Sequence, residues 1–229
     1  MKKKKLIIAA VLVLIAAVAA VLIFTRKNET ESNPDAVNVE DIQIDASAGG
    51  ISVVSLENIS GMYVEDGSDE VMSGIFAATF RNDSDSDLQY AKLVLTVGEE
   101  DYIFELSTVP AGATVRAMEM NKKAFVSSKG EVTLKQENIA WFDEAPSMYS
   151  NMLKIIQRNN AIIIENISGQ TIAAPIYVYY KNYTDGVYIG GITYRAGTQE
   201  SLAPGKSVAL SAKHFDPDAS RLMFVTYAH

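Results

Sequence analysis

The sequence predicts an all-β protein in which two tandem β-sandwich modules follow an N-terminal transmembrane helix. Three observations support this prediction. Apolar and polar residues alternate in short runs that end in Gly, Asn, Asp or Ser, which is typical of strands and turns. The pentapeptide Glu-Asn-Ile-Ser-Gly occurs twice, at 57–61 and at 165–169. An uninterrupted apolar segment follows four lysines at the start of the chain.

The apolar segment covers residues 6–24 and contains no Pro, Gly or charged residue. As a helix it would be roughly 28 Å long, close to the ~30 Å hydrocarbon core of a bilayer. The four lysines of the basic tail, residues 1–5, outweigh Arg26 and Lys27 on the other side. The positive-inside rule therefore places this tail in the cytoplasm and the rest of the chain outside the cell membrane.

A cleaved signal peptide is the alternative, because Ala17-Val18-Ala19 fits the small-x-small pattern of a cleavage site. Cleavage there would leave a strongly apolar new N-terminus and a secreted protein. The apolar run is also long for a signal peptide, so the sequence favours an uncleaved single-pass anchor. Residues 25–38 are polar and are predicted to form a flexible tether.

The composition excludes several functions. Twenty-eight acidic residues exceed twenty basic ones, and four of the lysines precede the anchor, so the exported part is strongly acidic. Such a surface repels phosphate backbones, which argues against nucleic-acid binding. The chain has no cysteine, so it forms no disulfide, thiolate site or cysteine-linked lipid anchor.

The first module is predicted to span residues 37–144 and the second to span 152–229. Residues 145–151 link them, either as a loop or as a short helix capped by Ser147. In the second module, Asn159-Asn160 fits the positive φ of a two-residue hairpin loop. The strands of the first module are predicted in the segments VNVEDIQID, ISVVSLEN, GIFAATFRN, LQYAKLVLTV, DYIFELSTV, ATVRAMEM and EVTLKQENIAWF.

The two copies of the pentapeptide have similar neighbours in the same order, which indicates a diverged duplication. On this alignment the isoleucines of the pentapeptide are core residues and its glycines are turn residues. The alignment pairs Phe80-Arg81-Asn82 with Tyr180-Lys181-Asn182, it pairs Val109, Gly112 and Val115 with Leu202, Gly205 and Val208, and it assigns Ile59 and Ile167 to the core and Gly61 and Gly169 to turns.

The segments VYYKNYTDG (178–186) and LAPGKSV (202–208) resemble small immunoglobulin-like modules of bacterial membrane-anchored proteins, among them the FxLYD-type domains. The segments ATFRNDSDSD and VPAGATV of the first module carry the same resemblance, although the Phe-x-Leu-Tyr-Asp motif itself is absent. The resemblance implies tandem immunoglobulin-like sandwiches outside the cytoplasm, with no catalytic residues.

Motifs of common enzyme classes are missing from the chain, including G-x-S-x-G, S-x-x-K, H-E-x-x-H and G-x-G-x-x-G. The Pro-Gly-Lys-Ser segment at 204–207 lacks the first glycine of a phosphate-binding loop and is predicted to be a turn. His214 has no partner motif and is predicted to be structural or solvated. The sequence therefore predicts neither enzymatic activity nor a cofactor.

Two sets of residues are candidates for binding. The carboxylates of Asp83, Asp85 and Asp87 alternate in a turn-rich segment and could converge on Ca²⁺, although the segment lacks the EF-hand pattern and a solvated loop is the favoured interpretation. The tyrosines Tyr177, Tyr179, Tyr183 and Tyr188 could form a platform for a sugar or peptide, or could pack across strands. If residues 176–181 form a strand, Ile176, Val178 and Tyr180 share its core-facing side, and Tyr177, Tyr179 and Lys181 share the other face.

The sequence favours a membrane-anchored extracytoplasmic interaction or structural protein, whose two modules bind an envelope protein or a cell-wall polymer. The alternative is a ligand- or calcium-binding sensory or accessory subunit of a membrane complex. The predicted cytoplasmic part is only a short basic tail, so a sensor would need a membrane partner.

Overall fold

The computed structural model describes residues 46–125 and 131–228, in which thirteen strands and no helix are present. The all-β prediction is thus confirmed.

The predicted transmembrane helix, the tether and the predicted strand at 37–44 lie outside the described residues. Within the described residues, no helix has the length and apolar character needed to cross a bilayer. The strands are β1 (Ser47–Ala48), β2 (Ile51–Tyr63), β3 (Glu70–Asn82), β4 (Leu88–Val97), β5 (Glu100–Val109), β6 (Thr114–Met118), β7 (Val132–Trp141), β8 (Leu153–Arg158), β9 (Ala161–Asn166), β10 (Ala173–Thr184), β11 (Val187–Thr198), β12 (Ser207–Ser211) and β13 (Ser220–Ala228).

These strands form three sheets. The largest has seven strands in the order β1-β2-β3-β6-β11-β10-β13, and the other two have the orders β5-β4-β7 and β12-β9-β8. Neighbouring strands are antiparallel except β6 and β11, which are parallel. The β6–β11 pair joins the strands of residues 46–141, here called the first half, to those of residues 153–228, the second half.

The first half buries one apolar core between β2, β3 and β6 on one side and β4, β5 and β7 on the other. Alternating side chains of these strands point inward, as expected for strands with one buried face. Phe76 lies at the centre, with its ring centroid 4.4 Å from that of Tyr102, 4.7 Å from Phe125 and 5.6 Å from Phe104. The layered arrangement is that of a β-sandwich.

The second half has its own core between β10, β11 and β13 and the sheet of β8, β9 and β12. The hairpin predicted at Asn159-Asn160 joins β8 to β9, and Asn160 has a φ of 58°. The linker contains no helix, so the loop is correct and the capped helix is not. The Ser147 carbonyl of the linker accepts a hydrogen bond of 2.9 Å from the Val225 amide. This bond holds the loop beside β13.

The two halves repeat one hydrogen-bonded turn in detail. Asn82 ends β3, and its side-chain amide donates to the carbonyls of Ser86 (2.9 Å) and Val109 (3.0 Å). Asn166 ends β9, and its amide donates to the carbonyls of Gln170 (2.8 Å) and Leu202 (2.7 Å). Each Asn Oδ1 also accepts from the amide and the hydroxyl of the serine two residues on, which are Ser84 and Ser168.

The backbone around these asparagines repeats as well. The Asn82 amide donates to the Ala113 carbonyl and its carbonyl accepts from Gly112, both at 2.9 Å. Asn166 does the same with Lys206 (2.9 Å) and Gly205 (2.8 Å). Gly112 thus corresponds to Gly205, as the predicted alignment of the two segments has it.

The predicted alignment of the pentapeptides is wrong, however. The first copy lies inside β2, where the Asn58 side chain bonds to the backbone of Phe125. The second copy ends β9 and enters a turn, so its Asn166 corresponds to Asn82 and not to Asn58. The pairing of Asn82 with Asn182 is wrong for the same reason.

Two roles assigned to the pentapeptide change accordingly. Ile167 is 50% exposed, because it follows the end of β9, and is not a core residue. Ile59 is only partly buried against a small cluster at the end of β2. Gly61 lies in β2 at a shift of register with β3 and not in a turn, and its φ of 145° fits a bulge.

Candidate functional site

Four aromatic side chains form a continuous row on the outer face of the second half, here called the aromatic strip: Phe142, Tyr177, Tyr179 and Phe224. The Tyr179 ring stacks on Phe224 with centroids 4.2 Å apart and planes 9° apart. Tyr177 meets Tyr179 edge to face at 6.4 Å, and Phe142 meets Phe224 edge to face at 5.4 Å. All four side chains are partly exposed. The strip therefore presents aromatic surface to solvent.

Side chains alternate between the two faces of β10, and this alternation positions the strip. Ile176 and Val178 are fully buried in the core of the second half, so Tyr177 and Tyr179 between them lie on the opposite face. The neighbouring strand β13 places Phe224 opposite Tyr179. Close cross-strand neighbours on one face of a sheet pack together, which explains the stacked pair.

The ring of Tyr177 is held at one end of the strip by three residues of β11 and the following turn. It lies against Gly197, where a Cβ would collide with the ring. The Arg195 guanidinium lies 4.7 Å from the ring centroid, and Gln199 donates a hydrogen bond of 3.0 Å to the hydroxyl. A cation and a ring in this arrangement attract each other. This end of the strip thus combines an aromatic face with an exposed positive charge.

The other two predicted tyrosines form a separate pair. Tyr183 and Tyr188 lie on either side of the β10–β11 turn, with ring centroids 5.0 Å apart. Tyr188 packs against the core of the first half, and the Arg221 guanidinium lies over Tyr183 at 4.8 Å. The structure thus divides the predicted platform, with Tyr177 and Tyr179 in the aromatic strip and the other pair apart from it.

The aspartates proposed for calcium take separate partners. Asp83 pairs with Arg81 at 3.2 Å, and Asp87 accepts a hydrogen bond from the Ala111 amide at 2.9 Å. Asp85 lies with Asp87 beside a shallow cleft of about 240 Å³. Within residues 46–125 and 131–228, no group of three or more His, Cys, Asp or Glu residues is arranged to hold a metal ion.

A cluster of polar residues lies where the two halves meet, and the sequence analysis did not predict it. We call it the seam and define it as Glu65, Ser107, Met118, Lys181, Gly191 and Thr193. Glu65, just after β2, is 4% exposed, and Lys181 of β10 is fully buried. Ionisable side chains are almost never buried to this extent unless they are paired or hydrogen-bonded.

Glu65 bridges the two halves. Its Oε1 accepts a hydrogen bond of 2.8 Å from the Met118 amide of the first half. Its Oε2 accepts one of 2.7 Å from the Gly191 amide of the second half. One carboxylate therefore ties β6 to β11, beyond the last residues at which these strands pair.

Lys181 bridges the halves in the other direction. Its ammonium donates to the Ser107 carbonyl of the first half at 3.0 Å. It also donates to the carbonyls of Gly191 (3.0 Å) and Ile192 (2.8 Å) of the second half. All three protons of the ammonium thus have acceptors.

Lys181 follows Tyr180, which faces the core of the second half, so Lys181 lies on the face of β10 that carries Tyr177 and Tyr179, as the alternation predicts. It is not exposed there, because the first half covers this part of the face. The Lys181 ammonium and the Thr193 hydroxyl both donate to the Ser107 carbonyl of β5. The alternation in the sequence does not reveal this burial.

The two adjacent glycines of β11 allow the halves to approach closely. A Cβ on Gly191 would collide with the Glu105 carbonyl of β5, and one on Gly190 would lie 2.9 Å from Val64. Next to them, the hydroxyls of Ser107 and Thr193 lie 2.9 Å apart, and Ser107 also donates to the Gly191 carbonyl. Glycine inside a strand is the kind of sequence feature that accompanies such an approach.

Burial shifts the pKa values of both charged seam residues. It raises the pKa of Glu65 to about 6, against the opposing effects of its backbone hydrogen bonds and of Lys181. It lowers the pKa of Lys181 to about 7, an effect that Glu65 partly offsets. Desolvation disfavours the charged form of each group.

The tip of the β2–β3 hairpin adds an exposed contact between the halves. Asp69 forms an ion pair of 2.6 Å with Lys213, and its other oxygen lies 3.6 Å from His214 Nδ1. The His214 ring stacks on Tyr194 at 4.7 Å. His214 is thus in a structural contact, in keeping with one of the two roles predicted for it.

A cleft of about 370 Å³ opens where the hairpin, β6 and β11 meet. Its walls include Ile59, Met62, Met118 and Ile189, with Arg116 at one side. Met62 is 59% exposed. The cleft therefore adds apolar surface beside the seam.

No family model matches the chain, and no curated protein is significantly similar to it in sequence. The functional argument therefore rests on the strip, the seam and the sequence pattern.

Proposed function

We propose that this chain is a membrane-anchored extracytoplasmic interaction or structural protein, which presents two immunoglobulin-like β-sandwich modules to an envelope protein or a cell-wall polymer. The observation that carries the proposal is the aromatic strip. Aromatic rings held on a sheet offer a large contact area whose side chains lose little entropy on binding. Tyrosine is also enriched at the binding surfaces of proteins.

The tandem organisation is supported by the turn that occurs once in each half. Matched side-chain and backbone hydrogen bonds around Asn82 and Asn166 are the expected remnant of a duplicated module. We place the modules at residues 37–144 and 152–229. Duplicated β-modules without a shared catalytic centre suit a role in presentation or binding.

The seam supports a role in which geometry matters. Two modules on a flexible linker would sample many relative orientations. Here the parallel β6–β11 pairing and the Glu65 and Lys181 bridges fasten one module to the other. A partner that contacts the strip would thus meet a surface whose orientation to the first module is constrained.

The membrane anchor and the outward orientation rest on the sequence. The lysine-flanked apolar segment at 6–24, the acidic composition and the absence of cysteine all suit a single-pass protein with an exported body. Residues 25–38 would then hold that body away from the bilayer surface.

The double substitution Tyr177→Ala with Tyr179→Ala tests the binding role of the strip. We expect affinity for the envelope partner to fall by about tenfold or more, because truncation of central aromatic residues typically costs over 1 kcal/mol. The measurement is chemical crosslinking of the full chain in membranes of cells that naturally make it, followed by quantification of the crosslinked products.

Tyr183→Ala is the matched control, because it removes the same ring from the same strand but outside the strip. Melting temperatures of the variants establish that each is folded. Unchanged crosslinked products from a folded double variant would contradict the proposal, as would an equal loss from Tyr183→Ala.

A further inference from the structure

We propose that the seam is a pH-responsive joint, in which gain or loss of one proton by the buried Glu65–Lys181 pair changes how firmly the second half is held on the first. The proposal concerns the coupling between the halves and does not depend on the binding role of the strip. It rests on where the two groups lie, since each contacts both halves and both are buried.

The carboxylate and the ammonium are held by backbone groups and not by each other. Glu65 accepts from the Met118 and Gly191 amides, while Lys181 donates to the Ser107, Gly191 and Ile192 carbonyls. Both groups therefore act on the same short stretch of β11. A change in the charge of either group alters the hydrogen bonds that cross between the halves.

Other titratable groups surround the seam, among them Asp66 and Glu119, whose charges also raise the pKa of Tyr63. The charge of Glu65 contributes to raised pKa values of Tyr63, on its own hairpin, and of Tyr194, on β11. Burial is the larger cause in both cases, and it holds Tyr194 at about 12. Both tyrosines thus stay neutral below pH 9. Asp69 and His214 meet at the exposed hairpin tip.

The sign of the effect follows from the two shifts. The pKa of Glu65 rises from 4.5 to about 6, so the folded protein holds this proton more tightly than the unfolded chain. Its contribution to stability therefore decreases as pH rises from 4.5 to about 6. The pKa of Lys181 falls from 10.5 to about 7, so its contribution increases as pH rises from about 7 to 10.5.

The joint is accordingly weakest between about pH 6 and pH 7, where both buried groups are charged. A proton taken up by Glu65, or released by Lys181, removes one buried charge and strengthens the joint. Ordinary surface ion pairs show no such minimum, because their pKa values shift in the directions that favour the charged forms.

Hydrogen exchange of the full chain in detergent micelles tests the proposal. After correction for intrinsic exchange rates, we expect the Gly191 and Met118 amides to exchange about tenfold faster at pH 6.5 than at pH 5 or pH 8.5, since one pKa unit corresponds to a tenfold change in equilibrium. The double variant Glu65→Gln with Lys181→Met should lose this minimum in protection.

The matched control is Glu165→Gln with Lys154→Met, which removes an exposed pair of the second half with an N–O distance of 3.6 Å. It should keep the wild-type profile. Equal protection at all three pH values in the wild type would overturn the proposal, as would a minimum that persists in the seam variant.

A second measurement needs no variant. In the full chain labelled with ¹³C at lysine Cε, one lysine should titrate with a midpoint near pH 7, far below the ordinary value of 10.5. Titration of every lysine above pH 9 would also overturn the proposal.

Discussion

Replacement of Lys181 by methionine is expected to lower the free energy of unfolding by about 1–3 kcal/mol, the cost typical when buried hydrogen-bonding groups are left without a partner. The substitution leaves the Glu65 carboxylate buried without a nearby positive charge. It also removes the hydrogen bonds that the ammonium donates to the carbonyls of Ser107, Gly191 and Ile192. Urea unfolding of the full chain in detergent at pH 7 measures the loss.

The Glu65→Gln variant and the double variant complete a mutant cycle. The double variant should be destabilised by less than the sum of the two single variants, because it leaves no unpaired buried charge. Lys154→Met, which breaks an exposed ion pair, should cost less than about 1 kcal/mol. A loss this small for Lys181→Met would show that the seam does not hold the halves together.

Replacement of Asn82 or Asn166 by alanine is expected to lower the free energy of unfolding by similar amounts, about 2–4 kcal/mol each. Each substitution removes the Asn donor from two backbone carbonyls and the Asn acceptor from a serine amide and hydroxyl, and a buried unsatisfied group costs about 1–3 kcal/mol. The two asparagines are 1% and 0% exposed, and their hydrogen bonds match one by one. The same unfolding experiment measures both.

Asn58→Ala distinguishes this correspondence from the one that the repeated pentapeptide suggested. Asn58 is only partly buried and bonds to one residue, Phe125. We therefore expect a smaller loss of about 1 kcal/mol. If Asn58→Ala matched Asn166→Ala while Asn82→Ala had little effect, the structural correspondence would be wrong.

Much of the architecture was predictable, because strand formation depends on local patterns. The run from Leu88 to Val97 was predicted as a strand and is β4 with those bounds. The core-facing role of Ile176, Val178 and Tyr180 followed from the period of two, and all three are buried. Asn160 takes the positive φ that its place in a two-residue turn requires.

The seam was not predictable, because it depends on contacts between residues far apart in the chain. Glu65 reaches Gly191 only once β6 and β11 pair in parallel, and nothing local in either strand specifies that partner. The burial of Lys181 depends on β5 of the first half, which covers its face of β10 and which the alternation of its neighbours does not indicate.

The pentapeptide shows the same limit. Identical letters at 57–61 and 165–169 take different roles, because one copy is in mid-strand and the other ends a strand. The role of an asparagine depends on which carbonyls surround its side chain. That environment matches at Asn82 and Asn166, whose flanking letters share little beyond the serine two residues on.

For the tyrosines, alternation identified the shared face of Tyr177 and Tyr179. It could not supply Phe142 and Phe224, which reach the strip through the linker and the pairing of β13. The stacked geometry of the strip is therefore a product of tertiary structure.

The central claim is that the body lies outside the membrane and binds a partner through the aromatic strip. Because the chain has no cysteine, single substitutions can report on both parts of this claim. Thr226 is exposed and lies opposite Tyr177 across the β10–β13 pairing, while Thr133 is exposed on the outer face of β7, away from the strip.

The experiment expresses the Thr226→Cys and Thr133→Cys variants of the full chain in cells that naturally make the protein. The intact cells are then treated with a maleimide that does not cross membranes. We predict that both cysteines react on intact cells, and that Thr226→Cys reacts several-fold more slowly there than in the purified protein, while Thr133→Cys reacts equally in both. Reaction only after the cells are permeabilised, or equal rates for Thr226→Cys on cells and in the purified protein, would contradict the account.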